Sequence, residues 1–129
     1  MKYLAVYGSL RVDQYNYNRI KSIYPGQFNP IEQTTISGYE MFDLGSYPAI
    51  AESTEDKVIT IDIIQCSDKA YHYIEAMERG AGYEEKTVQI NGNSCILFYW
   101  NDLNYLKKNS NGLVESGDWV EYLETRVTN

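Results

Sequence analysis

The spacing of apolar residues changes several times along the chain, and each change marks an element. Lys2 to Tyr7 is a short apolar run, partly β-branched, that predicts a buried strand. Thr34 to Leu44 is rich in β-formers and reads as a strand bent at Gly38. Gly45-Ser46-Tyr47-Pro48 is a turn, and Ala49 to Glu52 is a short strand after it. Lys57 to Gln65 alternates for part of its length and predicts another strand. Glu85 to Ile90 and Ser94 to Trp100 flank Asn91-Gly92, the pairing of a tight β-hairpin.

A helical period appears between these strands. From Ser67, placed as an N-cap, the apolar residues Ala70, Tyr73, Ile74 and Met77 recur on one face through about Arg79. Gly80 and Gly82 stop that helix. Asp13 to Ile23 is polar and predicts a shorter helix capped by Asp13 and ended by Pro25 and Gly26. Asp102 to Lys108 reads as a helical turn. Ser116-Gly117-Asp118 leads into a final helix, with Asp118 and Glu121 spaced as a capping box. No repeat or linker interrupts the chain, so residues 1–129 read as a single domain. The element order predicts an α+β fold: a curved or barrel-like mixed sheet with helices packed outside.

Charge narrows the function. A net charge of −7 without a long Lys/Arg run argues against a protein that tracks nucleic-acid phosphates. No apolar run approaches the ~20 residues of a membrane span, so no membrane partner is expected. The start lacks the pattern of a signal peptide, which makes a cytoplasmic protein the expectation. Cys66 and Cys95 follow strand-like segments without metal spacing and read as buried thiols. The lone His72 makes no cluster, so no zinc site is expected. If the protein is an enzyme, carboxylates must then carry most proton transfers, unless His72 itself is the base. There are 13 Tyr against 3 Phe, so most large rings here also bring a polar tip to the core, the rim or a pocket wall.

Two features carry candidate chemistry. The first strand runs directly into Gly8-Ser9-Leu10-Arg11. A small-residue turn at a strand end is an ordinary turn or a nest of backbone N–H groups that favours carboxylates and oxyanions. The second is Glu78. It borders the apolar stripe in the last helical turn, where the helix dipole and partial burial both disfavour its charge. A carboxyl raised toward neutrality suits general acid/base work. Arg79 beside it acts in the opposite sense, and Glu75, three positions earlier, reads as a solvated surface carboxylate.

Tyr7-Gly8-Ser9-Leu10-Arg11, the segment from Gly38-Tyr39 to Tyr47-Pro48-Ala49, and Ile74-Glu75-Ala76-Met77-Glu78-Arg79-Gly80 followed by Gly82-Tyr83 resemble the γ-glutamylcyclotransferase-like proteins. Within these the chain is most similar to the AIG2-like and γ-glutamylamine cyclotransferase branch. Ser116-Gly117-Asp118-Trp119 also resembles the end of many members. The resemblance implies a small mixed β-barrel with flanking helices. It implies a catalytic Glu78, and substrate contacts from Tyr7, Gly8, Ser9, Leu10, Arg11, Tyr47 and Tyr83. It further implies a small-molecule γ-glutamyl or related ligand, released as 5-oxoproline and an amine without metal or organic cofactor. A monomer or homodimer is expected. Arg79 stands where members often have glycine, and Glu85 where a basic residue is often found, with Lys86 next. A non-catalytic protein holding a small ligand in the same pocket, and an adaptor with a tyrosine-rich surface, are the alternative readings.

Overall fold

The structure, a computed structural model, describes residues 1–128. Seven strands and four helices follow one another as β1 (Lys2–Val6), α1 (Tyr15–Ile23), β2 (Phe28–Ser37), β3 (Tyr39–Asp43), β4 (Pro48–Glu52), β5 (Val58–Cys66), α2 (Asp68–Gly80), β6 (Glu84–Ile90), β7 (Asn93–Tyr99), α3 (Leu103–Asn109) and α4 (Trp119–Thr128). The α+β class and the mixed sheet are as the sequence predicts. Five strands pair in the order β2-β5-β1-β7-β6, and β3-β4 form a separate two-stranded sheet. The first strand lies in the centre, antiparallel to β5 and parallel to β7. That position explains its unbroken apolar run.

Alternation along these strands sorts the core into two layers. Leu4, Val6, Ile64 and Cys66 face α1 and α2, packing with Tyr17, Ile20, Ala70 and Ile74. Ala5, Tyr7, Ile61, Ile63, Cys95 and Leu97 face the opposite way, onto Tyr39, Met41 and Ile50 of the small sheet and Trp119 of α4. Fully burying each such aliphatic chain contributes about 1.5–3 kcal/mol. The large sheet curls. Asn91 Nδ2, at the β6–β7 turn, reaches Glu32 Oε2 on β2 at 3.2 Å, although these strands are opposite edges of the sheet. The main-chain ladder between those edges stays open among the described residues.

Three local expectations are corrected. The segment from Thr34 to Leu44 is not one bent strand. The chain changes sheet at Gly38, so β2 and β3 pair with different partners. β2 also begins at Phe28, earlier than its pattern predicts, because it is an edge strand that tolerates Pro30 beside a shift of register before Glu32. Asp13 does not cap α1. It sits at φ 67°, and Gln14 occupies the cap position without a side-chain bond. Ser67, by contrast, accepts from the Ala70 N–H at 3.2 Å as an N-cap should.

Arg11 is the fourth correction. Its side chain is 5% exposed and is held within the protein. Nε donates to Asp62 Oδ2 at 3.3 Å, Nη1 to Asp118 Oδ1 at 2.7 Å, and Nη2 to Gln33 Oε1 at 3.3 Å. Asp62 Oδ2 also accepts from the Val12 N–H at 2.9 Å. Two carboxylates thus consume the guanidinium that the sequence reading assigned to a ligand. Replacing Arg11 by Met leaves Asp62 buried without its cation, which costs about 3–5 kcal/mol for a buried pair. Urea unfolding of Arg11→Met is expected to show that loss. A change below about 1 kcal/mol, the level of a surface pair, would contradict it.

Candidate active site

The end of β1 opens into a cleft of about 130 Å³. Tyr7, Gly8, Ser9, Leu10, Tyr47, Glu78 and Tyr83 all line it. Arg11 is the one predicted contact outside the lining. The loop turns tightly there, with the Arg11 N–H donating to the Gly8 carbonyl at 3.0 Å. The Ser9 carbonyl accepts from the Tyr17 N–H at 3.0 Å, and Ser9 Oγ accepts from Asn16 Nδ2 at 2.7 Å. The N–H groups of Gly8, Ser9 and Leu10 have no protein acceptor among the described residues. Glycine at position 8 is a matter of space. A Cβ there would lie 2.8 Å from Pro48 Cδ and 2.9 Å from Cγ.

The opposite wall is built by the end of α2. Gly82, at φ 97°, follows the cap residue Ala81. The Tyr83 N–H then donates back to the Glu78 carbonyl at 3.0 Å, and the Gly82 N–H to the Arg79 carbonyl at 3.1 Å. These two bonds define a Schellman motif. They fix Tyr83 beside Glu78 by main-chain geometry alone. Tyr83 Oη donates to the Pro48 carbonyl at 2.6 Å, and Tyr7 Oη to the Phe98 carbonyl at 2.7 Å. Burial raises both phenols, Tyr7 well above its ordinary value, and the nearby Glu78 charge adds to it. Both therefore stay protonated and serve as walls. Tyr47, 39% exposed, stands at the mouth with its ring 6.3 Å from that of Tyr83.

Glu78 is half-buried, and burial raises its carboxyl to about 7. Among the described residues nothing donates to that carboxylate or pairs with it. Arg79 is engaged elsewhere: its Nη2 lies 2.7 Å from Glu85 Oε1 and 3.6 Å from Glu75 Oε2. Arg79 and Glu85, two of the positions at which this chain departs from the pattern it resembles, thus meet each other, and Glu75, in a third departure where members often carry Leu-Asp, lies beside them. Glu75 is not the solvated group the sequence predicts, since its Oε2 lies 2.9 Å from Tyr71 Oη and 3.6 Å from Arg79 Nη2. Besides Ala5 and Val6 of β1 itself, sequence reasoning missed Asn16, Pro48, Ala81 and Phe98 in the lining. Pro48 was legible from its place after Tyr47. The others arrive through tertiary packing. No group of three or more His, Cys, Asp or Glu residues able to hold a metal occurs among the described residues.

A family model described as gamma-glutamyl cyclotransferase, AIG2-like, matches residues 4–121. Solved structures share the fold. An uncharacterized protein from Pyrococcus horikoshii is 18% identical with a TM-score of 0.78, over 100% of this chain and 98% of that one. The protein ytfP from Escherichia coli is 21% identical with a TM-score of 0.70, over 93% and 97%. An AIG2-like protein from Mus musculus is 17% identical with a TM-score of 0.65, over 78% and 77%. No curated protein matches the chain significantly in sequence.

The close approach of Gly8 to Pro48 generates a prediction. Gly8→Val must push Pro48 and the neighbouring Tyr47 aside, since the clash falls on a ring and not on a flexible chain end. Affinity for a cleft ligand, measured by calorimetry, is expected to fall at least about tenfold, or about 1.4 kcal/mol. The thermal midpoint should move less than that loss implies. Unchanged affinity would place the ligand away from this loop.

Proposed function

Because the chain belongs to the AIG2-like gamma-glutamyl cyclotransferase family, we propose that it is an enzyme that cyclises a γ-glutamyl-linked small molecule to 5-oxoproline and releases an amine. One observation carries this reading. A carboxyl raised to about 7, with no protein partner, faces the same small cleft as a loop of unsatisfied N–H groups.

In the proposed reaction Glu78 takes a proton from the substrate's α-ammonium group. The freed amine attacks the γ-carbonyl of its own chain, and the new C–N bond closes the five-membered ring. The negative charge that builds on the carbonyl oxygen is met by the N–H groups of Gly8, Ser9 and Leu10. Glu78 then gives that proton to the leaving nitrogen as the original amide C–N bond breaks, takes the second proton from the ring nitrogen, and passes it to the released amine, which departs as an ammonium. A carboxyl with a pKa near the working pH is suited to these transfers. Tyr7, Tyr83 and Pro48 confine the γ-glutamyl chain in a folded form, and the attack gains from being intramolecular. These steps invoke proton transfers and oxyanion binding only.

The direct test is to incubate the protein with a panel of γ-glutamyl amines and γ-glutamyl dipeptides and to follow 5-oxoproline by mass spectrometry. Glu78→Gln is expected to lower turnover about 10²–10⁴-fold with little change in substrate affinity. If the cleft only holds a ligand amine, the same change instead weakens binding by about 1.5–3 kcal/mol and no 5-oxoproline forms with either protein.

The raised pKa makes a second prediction with a definite sign. An acid whose folded pKa exceeds its unfolded value binds more protons when folded, so stability falls as pH rises between the two. For Glu78 that window runs from about 4.5, its ordinary value, to about 7. Glu78→Gln is therefore expected to be more stable than the parent at pH 8 and not at pH 4, by chemical denaturation at both. In the active enzyme, kcat/KM should rise with pH through about 7 as the base deprotonates. A profile flat from pH 5 to 8 would remove Glu78 from the proton path.

A further inference from the structure

We propose that Glu85 and Glu75, with Tyr71, act as positioning residues that hold the Arg79 guanidinium on the solvent side of α2 and so keep the cation next in sequence to Glu78 from reaching its carboxylate. The inference rests on the role proposed for Glu78.

The geometry is a closed network. Tyr71 Oη donates to Glu85 Oε2 at 2.6 Å and lies 2.9 Å from Glu75 Oε2. Arg79 Nη2 binds Glu85 Oε1 at 2.7 Å and approaches Glu75 Oε2 at 3.6 Å. Glu75 and Arg79 are four residues apart on one face of α2. Glu85 comes from β6, beyond the Schellman corner that carries Tyr83. The network therefore ties the two arms of that corner together, and none of its residues is in the cleft lining. His72 Nδ1 stands 4.0 Å from Glu75 Oε1, and Lys2 Nζ lies 5.2 Å from the Tyr71 ring centre.

The arrangement matters because Arg79 is one residue from the proposed proton carrier. An opposite charge within about 4–6 Å lowers a carboxyl pKa by about 1–3 units. A freed guanidinium on a long, flexible stem has that reach. The charged or titratable groups that face this part of α2 are Tyr7 from β1, Tyr83 after the corner, Tyr47 beside Tyr83, Glu85 from β6 and Arg19 from α1. Arg19 is bound to Tyr73 Oη and lies 3.9 Å from Met77 Sδ. Burial raises the Glu78 carboxyl to about 7, in accord with a charge kept apart from any cation.

The test reads the Glu78 carboxyl itself, by NMR titration of protein labelled with ¹³C at the glutamate carboxyl carbon. In Glu75→Gln,Glu85→Gln the Glu78 pKa is expected to fall by at least about one unit. Adding Arg79→Gln to that variant is expected to bring it back to the parent value. No fall in the double variant overturns the proposal. A fall that persists in the triple variant also overturns it, because the lost carboxylates then act on Glu78 without Arg79. Turnover supplies a parallel readout, since the limb of kcat/KM near pH 7 should move to lower pH in the double variant and return in the triple. The NMR titration needs no substrate. A protein that forms no 5-oxoproline from any substrate thus defeats the enzymatic reading while leaving this test to give its own result.

Discussion

The buried guanidinium of Arg11 joins parts of the chain that are otherwise far apart. It bonds to Asp62 on β5, to Asp118 at the start of α4 and to Gln33 on β2. An ion desolvated to this extent is tolerated only when its donors are satisfied. Three of its N–H groups find side-chain acceptors, and Asp62 takes the Val12 N–H as well. The consequence reaches the cleft directly. Arg11 closes the turn that begins at Gly8, so the ion network pins one end of that loop. The backbone at Gly8, Ser9 and Leu10 is left with its N–H groups unsatisfied by protein, yet it is not free to move. Oriented dipoles that need no reorganisation are what a developing oxyanion requires.

Glu78 is held by a different means. Its carbonyl accepts from the Ala81 and Tyr83 N–H groups at the Schellman corner, while its side chain has no polar partner among the described residues. A half-buried carboxyl without donors destabilises the fold once it ionises, which is the usual tension between a reactive group and stability. The surrounding tyrosines limit that cost in a particular way. Tyr7 and Tyr83 spend their hydroxyl protons on the Phe98 and Pro48 carbonyls. They line the cleft as rings and leave the carboxyl unpaired.

Local signals were legible in the sequence, and long-range partners were not. Ser67 is read correctly as a cap because the motif lies within four residues, and Asn91-Gly92 fixes its hairpin for the same reason. The Gly8 loop and Glu78 stand out because each combines a local structural signal with a chemical type. Arg11 was misread because its partners lie 51 and 107 positions away, and no periodicity announces them. Glu75 was misread for a similar reason: its helix face is polar, and only the return of β6 makes that face an interface. Pro30 hid the first half of β2, since a proline argues against a strand unless the strand is an edge.

The contribution of α4 follows from these contacts. Among the described residues it supplies none of the cleft's lining, yet it bonds to the Gly8 loop at Arg11 and to the turn before Tyr47. At its start, Asp118 Oδ1 accepts from Arg11 Nη1 at 2.7 Å and from the Glu121 N–H at 3.2 Å, so the helix cap and the loop anchor are the same atom. One turn further on, Tyr122 Oη donates to the buried Asp43 at 2.6 Å, and Arg126 Nη1 donates to the Gly45 carbonyl at 2.7 Å. Asp43 in turn accepts from the Gly45 N–H at 2.6 Å. That set of bonds fixes the turn that carries Tyr47 and Pro48. Since Gly8 packs directly against Pro48, the loop and this turn meet, and α4 holds each from outside. The cleft is therefore defined by charged and phenolic contacts on its outer side, while its inner surface keeps one unpaired carboxyl and a row of unsatisfied N–H groups.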